Sequence, residues 1–233
     1  MKRPILILHG WGVSSGKYEP LEKLLRKKGF VVYIPDLPGF GKQKMLKTSM
    51  ELADYVDFVR SYMRKNKIVK PVVIAHSFGG RIAVRLAAFY PKDFSKLVLT
   101  GVPIIRHMSA KKQIAYIAAF IGRVILKKIP LTAYDIIRKV LYFSIGEWDY
   151  YKSGPLSETF KKVISEDLLQ YVKKITIPVF LVWGETDKLT PASDVSEISG
   201  YIANGESVVI EKYGHKLPYE NPKGFLKSIE NFL

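Results

Sequence analysis

Val72-Val73-Ile74-Ala75-His76-Ser77-Phe78-Gly79-Gly80-Arg81-Ile82-Ala83 is the stretch whose reading decides the fold. Its first half is a β-branched apolar run, the pattern of a strand buried on both faces. The residues from Arg81 to Tyr90 are rich in Ala, Leu and Arg and predict a helix that stops before Pro91. Ser77 lies between the two, with Gly79 and Gly80 behind it and little chain left for a turn. A chain that leaves a strand and enters a helix in so few residues must bend sharply. Small neighbours then let strand and helix pack closely, and the residue at the apex is pushed out above the sheet. A serine held there, beside a helix N-terminus that favours negative charge, is placed as a nucleophile.

Outward from this turn, strand and helix patterns alternate. Pro4 to Leu8 reads as a buried strand, followed by His9-Gly10-Trp11-Gly12. Lys17 to Lys28 predicts a helix with Leu21, Leu24 and Leu25 inward, closed by Gly29 at its C-terminal end. Phe30 to Ile34 is the second strand, and the prolines and glycines of Pro35-Asp36-Leu37-Pro38-Gly39-Phe40-Gly41 end regular structure after it. Met50 to Lys65 is amphipathic with a helical period. Beyond the serine turn come strands at Lys96–Thr100, Ile177–Trp183 and Ser207–Ile210, with helices near Ala192–Ile202 and Pro222–Leu233. Six short apolar strands alternating with helices predict an α/β fold, an open parallel sheet covered on both faces. In such sheets functional residues gather at the carboxyl ends of the strands. The rhythm changes between Pro103 and about Lys174, where helical segments carry Tyr116, Phe120, Tyr134, Tyr142, Phe143, Trp148, Tyr150 and Tyr151 and no buried-strand run occurs.

The 233 residues predict one folded unit of ordinary size, and 48% hydrophobic content excludes a disordered chain. With no cysteine, disulfides and thiolate chemistry are excluded and the usual zinc thiols are gone. The apolar run behind Lys2 and Arg3 is only Ile5–Leu8, shorter than the roughly 7–15 residues of a secretory signal, so a strand is read there and a cytoplasmic location expected. No stretch reads as a membrane span. The net charge of +16 comes from lysines spread along the whole chain, which reads as a solvated surface with at most weak contact with anionic surfaces. No nucleic-acid motif and no metal-ligand spacing appears, and no cofactor is expected. The loop Asp36–Gly41 has the glycines of a phosphate loop, but lacks both its spacing and its lysine.

A serine hydroxyl needs a base within hydrogen-bond reach. Of four histidines, His76 adjoins the serine, with neighbouring side chains pointing apart; His9 lies in a glycine turn, and His107 in the aromatic segment. His215, in Glu211-Lys212-Tyr213-Gly214-His215, follows the last strand. An imidazole that keeps one tautomer needs an acceptor behind it. Asp187, Glu185 and Asp194 all lie after the fifth strand, while Gly101-Val102-Pro103 after the fourth carries no acid.

Ala75-His76-Ser77-Phe78-Gly79 resembles the G-x-S-x-G nucleophile elbow of the α/β-hydrolase superfamily, with alanine in place of the first glycine. The resemblance runs through nearly the whole chain. It implies the α/β-hydrolase fold with sheet order 2-1-3-4-5-6. The core would be residues 1–102 and 175–233, with a helical cap inserted as 103–174. The antiparallel N-terminal strands common in the family are not expected. The resemblance further implies a catalytic triad of Ser77, Asp187 and His215, in the family's chain order, and an oxyanion hole from the backbone N–H groups of Trp11 and Phe78. His9 would brace that loop. Serine at 77 argues against a dehalogenase or epoxide hydrolase. The activity so implied is hydrolysis of small, apolar carboxylic esters through an acyl-enzyme, by a monomer or homodimer. Thioester, lactone and C–C bond hydrolysis use the same constellation, and a small-ligand receptor can retain it.

Overall fold

A computed structural model describes residues 2–105 and 154–233 of the chain. The aromatic residues singled out between Tyr116 and Tyr151, and His107, lie outside the described residues, as does most of the expected cap. The chain divides into two compact units, Met1–Ile105 with Ser165–Leu233, and Arg106–Ile164.

The first unit is built on six parallel strands: β1 (Ile5–Leu8), β2 (Val32–Tyr33), β3 (Val72–His76), β4 (Lys96–Thr100), β5 (Val179–Gly184) and β6 (Gly205–Ile210). Their spatial order is β2-β1-β3-β4-β5-β6, the order the family resemblance implies. Every neighbouring pair is parallel, and β3 lies between β1 and β4 with Ala75 opposite both Leu8 and Leu99. The strand bearing the serine turn is therefore central, where β-branched residues on both faces are needed. β2 is shorter than the expected Phe30–Ile34. It pairs only through Ile5–Val32 and Leu6–Tyr33, and Val31 is left exposed at the sheet edge.

Helices α1 (Glu19–Lys27), α2 (Leu52–Lys65) and α3 (Phe78–Phe89) follow the first three strands. Beyond β4 come α4 (Ser157–Ser165), which belongs almost wholly to the second unit, and then α5 (Leu169–Val172), α6 (Asp194–Gly200), α7 (Leu217–Glu220) and α8 (Pro222–Ile229). Side chains alternate across a strand, so Ile5, Ile7, Val72, Ile74, Val98 and Val182 share one face. They form a single core with Leu21 and Leu25 of α1 and Phe225, Leu226 and Ile229 of α8. On the opposite face α3 packs against β1, β3 and β4, and α2 packs against α3. α1 ends as its sequence predicts, with Gly29 at φ +85° just beyond Lys28. α2 starts at Leu52 because Asp54 accepts a 2.7 Å hydrogen bond from the Glu51 N–H, which satisfies a donor the helix leaves unpaired. Among the described residues no helix is long and apolar enough to cross a membrane.

Two arginines of α3 join the helix to the chain flanking the insertion. Arg81, 4% exposed, donates to the Pro103 carbonyl (3.0 Å) and the Glu166 carbonyl (2.5 Å). Arg85 pairs with the Glu166 carboxylate and donates to the Tyr171 hydroxyl. From sequence these residues are only helix formers; apart from Pro103, their partners lie 81 to 86 residues away.

α3 reaches the sheet because Gly79 has no side chain. A Cβ there would stand 2.3 Å from the Leu8 carbonyl oxygen and 2.7 Å from that of His9, and backbone cannot move aside cheaply. Gly79→Ala is expected to cost about 3 kcal/mol of stability, the upper range for forcing an extra carbon into a packed interior. Urea unfolding measures it, with Gly12→Ala as the comparison, since a Cβ at Gly12 meets nothing within 4 Å and pays only for its φ of +72°.

Candidate active site

Ser77 has φ 51° and ψ −113°, outside the regions open to ordinary L-residues. Its N–H donates to the Thr100 carbonyl (2.9 Å), and two residues on, the Gly79 N–H donates to the His9 carbonyl (3.0 Å). These bonds hold the turn to both neighbouring strands. α3 starts at Phe78, so the serine hydroxyl stands beside N–H groups that a helix leaves without internal partners. Ala75 is fully buried and needs no positive φ, which is why it can occupy the place where the family pattern has glycine.

The loops after β5 and β6 bring two further groups to this turn. The His215 Nε2 lies 3.0 Å from Ser77 Oγ, and its Nδ1 lies 2.8 Å from Asp187 Oδ2. A carboxylate only accepts, so Nδ1 carries the hydrogen and Nε2 presents its lone pair to the serine hydroxyl. Asp187 also accepts from the Leu189 N–H, the Thr190 N–H and the Thr190 hydroxyl, the last at 2.7 Å. Burial by itself would raise the Asp187 carboxyl, but the hydrogen bonds from His215 and Thr190 outweigh it and hold the group below the usual carboxylate range. The His215 side chain keeps 17% exposure while that of Asp187 keeps 1%, so solvent reaches the imidazole and not the charge behind it. Of the rival acids, Glu185 accepts from the Lys212 N–H, and Asp194 begins α6; neither is the partner of His215.

Glycines keep the surroundings open. A Cβ at Gly101, which has φ +58°, would stand 2.9 Å from the His215 ring, and one at Gly10 would stand 2.9 Å from His76 Nδ1 and 3.5 Å from Ser77 Cβ. The His9–Gly12 loop therefore runs directly beside the serine. His9 is fully buried: its Nδ1–H donates to the Gly10 carbonyl (2.8 Å) and its Nε2 accepts from the Leu37 N–H (2.9 Å). Trp11 sets its ring edge-on to Phe40 and Phe78 at 4.9 and 5.1 Å. The glycine loop that resembles a phosphate cradle is already filled from within, because the Ser15 and Lys42 N–H groups both donate to the Asp36 carboxylate.

Sequence reading overlooked three contributors here. Thr190 supports the carboxylate with both its N–H and its hydroxyl. Tyr18 and His76 form a buried pair at 2.7 Å, and His76 Nε2 lies 2.8 Å from the His215 carbonyl. Only the D-x-x-T spacing of Asp187 and Thr190, a turn signature, was available to reveal any of them.

Burial, and then the neighbouring His215, push His76 down to about 3, and burial also lowers His9. An unfolded histidine titrates near 6.5, so below that pH the unfolded chain binds protons that the folded chain refuses. The stability that His76 contributes is therefore full above about pH 6.5 and is lost as pH falls from there toward 3, by up to about 1.4 kcal/mol per pH unit, and His9 acts in the same direction. Urea midpoints measured at pH 7, 5.5 and 4.5 are expected to fall in that order. Thr190→Val, which leaves the buried carboxylate short of a donor, is expected to cost about 1–2 kcal/mol at pH 7.

The comparisons with known proteins agree with this architecture. Residues 3–122 match the profile described as the alpha/beta hydrolase fold. The human monoacylglycerol lipase ABHD6 is 24% identical over 260 residues, covering 100% of this chain and 75% of that protein. Human monoglyceride lipase is 29% identical over 204 residues, covering 81% of this chain and 66% of its own length. Among solved structures, a thermophilic esterase from Thermogutta terrifontis superposes with a TM-score of 0.74 at 18% identity, over 100% of this chain and 89% of that one. The profile match takes in more than half of the residues, the serine turn included, and the sheet has the order that the resemblance implies; the chain belongs to the α/β-hydrolase family.

Proposed function

We propose that the chain is a serine hydrolase of carboxylic esters, with Ser77 as nucleophile, His215 as general base and acid, and Asp187 as the group that orients and stabilises the imidazole. One observation carries this reading: an unbroken hydrogen-bond chain, Ser77 Oγ to His215 at 3.0 Å and His215 to Asp187 at 2.8 Å, built on a serine whose backbone is held at φ 51°. Strained backbone kept in place by bonds on both sides is the usual sign of a residue placed for chemistry.

In this mechanism Ser77 Oγ attacks the ester carbonyl as its proton passes to His215 Nε2. The imidazolium so formed is stabilised by the ionised Asp187. The carbonyl oxygen becomes an oxyanion held by the Phe78 and Trp11 N–H groups, and each donor of this kind is worth roughly 2.7–4 kcal/mol. When the tetrahedral species collapses, the alcohol leaves with the proton from Nε2 and the acyl group stays on Ser77. Water then repeats the sequence, with His215 taking its proton, and releases the acid.

The names of the relatives, monoacylglycerol lipase, monoglyceride lipase and esterase, support an oxygen ester of an apolar acid as the substrate class. Hydrolysis of p-nitrophenyl esters with labelling of the serine by a fluorophosphonate tests the reading, and a parallel thioester and lactone panel separates the reactions that share this machinery. Ser77→Ala is expected to lower kcat by about 10⁶, and Asp187→Asn, which keeps the shape but permits the wrong tautomer, by about 10⁴. A Ser77→Ala protein that keeps most of its turnover would refute the assignment.

A further inference from the structure

We infer that His76 and Tyr18 are positioning residues for the reaction: they form a neutral hydrogen-bond bridge that fixes the backbone of His215 and ties it to the His9–Gly12 loop. This rests on the reading of Ser77, His215 and Asp187 as the catalytic groups.

His76 is the last residue of β3 and is 3% exposed. Both of its ring nitrogens are engaged: Nε2 with the His215 carbonyl at 2.8 Å and Nδ1 with the Tyr18 hydroxyl at 2.7 Å. The Tyr18 oxygen in turn accepts from the Gly10 N–H at 3.3 Å. With a neutral ring, only one arrangement of hydrogens satisfies all three contacts. The carbonyl can only accept, so Nε2 carries the proton; a neutral ring then has a bare Nδ1, which takes the phenol hydrogen. The bridge thus runs from Gly10 N–H through Tyr18 and His76 to the His215 carbonyl, each donor pointing the same way.

The surroundings maintain that state. The ring is faced by Tyr18, by His215 at 4.9 Å between ring centroids and by the edge of Tyr219 at 5.9 Å, with His9 and Asp187 acting at longer range. Burial first, and the adjacent His215 second, depress its basicity so far that the imidazole stays neutral across the working range. A charged ring in this place would oppose the imidazolium that His215 must become. Gly10 completes the fit, because a Cβ there would stand 2.9 Å from His76 Nδ1.

The mechanical consequence follows from chain adjacency. His76 and Ser77 are consecutive, so one rigid turn grips His215 twice, by its carbonyl through His76 and by its ring through the Ser77 hydroxyl. Fixing the carbonyl fixes the peptide plane just before α7 and hence the direction in which the His215 side chain leaves the backbone. The same bridge reaches Gly10, next to Trp11, so the base and the expected oxyanion donor share one frame.

The test pairs kinetics with a readout that does not need turnover. Tyr18→Phe is expected to lower kcat for a p-nitrophenyl ester about 3- to 10-fold, and His76→Phe about 30- to 100-fold, with KM within about twofold. His76→Gln, whose amide can still donate to the carbonyl, is expected to recover part of the loss. Because Tyr18 acts through His76, the double Phe variant should match His76→Phe alone. In 15N-histidine-labelled wild-type protein, His76 is expected as the neutral Nε2–H tautomer from pH 5 to 9, and Tyr18→Phe is expected to shift the His215 resonances. Full kcat in His76→Phe, additive losses in the double variant, or a His76 that titrates in that range or carries its proton on Nδ1 would overturn the bridge. Loss of esterase activity and of fluorophosphonate labelling in the wild type would instead remove the catalytic reading, while the NMR result still decides whether the bridge exists.

Discussion

The constraint on which the structure depends is the backbone of Ser77, held at φ 51° between a central strand and the helix that follows it. Such a conformation costs about 1–3 kcal/mol for a residue with a side chain. It persists because the chain around it admits no other course. The Ser77 and Gly79 N–H groups are claimed by β4 and by the His9 carbonyl, at 2.9 and 3.0 Å. The apolar side of α3 is buried along nearly its whole length, from Phe78 through Ala87, so relaxing the turn would pull a helix off the sheet. The glycines are the other half of the arrangement: Gly79 lets α3 meet β1, and a Cβ at Gly80 would collide with Val102.

A second consequence is a connected set of buried polar groups at the carboxyl ends of the strands. Unpaired, each would cost heavily in a low-dielectric interior. Here Asp187 has four hydrogen-bond donors, from His215, Leu189 and Thr190, and His9 and His76 use both ring nitrogens while remaining neutral. Among the described residues no buried side-chain nitrogen or oxygen lacks a partner. The one ionised group in the chain of Ser77, His215 and Asp187 is thus the one best supplied with donors. Among the described residues the lysines behind the net charge of +16 are mostly exposed, and their pairs, such as Lys23–Glu19 and Lys28–Glu230, are solvated and weak.

Much of this was legible in order along the chain. Apolar runs mark β1, β3, β4 and β5 because a strand buried on both faces can carry little else, and the short step from Ala75 to Gly80 forces the turn. Gly29 ends α1 where its conformational freedom is needed. Edges were harder. β2 shrinks to Val32–Tyr33 because an edge strand keeps only the residues its one neighbour can pair, and β5 begins at Val179 because Pro178 has no N–H to give the ladder.

Sequence by itself determined the elements and that Ser77, Asp187 and His215 each follow a strand, since those features are local or follow from hydrophobic period, while the order of the strands was implied only by the family resemblance. Tertiary structure alone decided that Thr190 supports the Asp187 carboxylate, and that Tyr18 and His76 join Gly10 to His215. It also decided the partners of Arg81. Those links connect groups 58, 85 and 139 residues apart. A hydrogen bond depends on direction as well as distance, and no pattern along a chain records where a distant carbonyl will point.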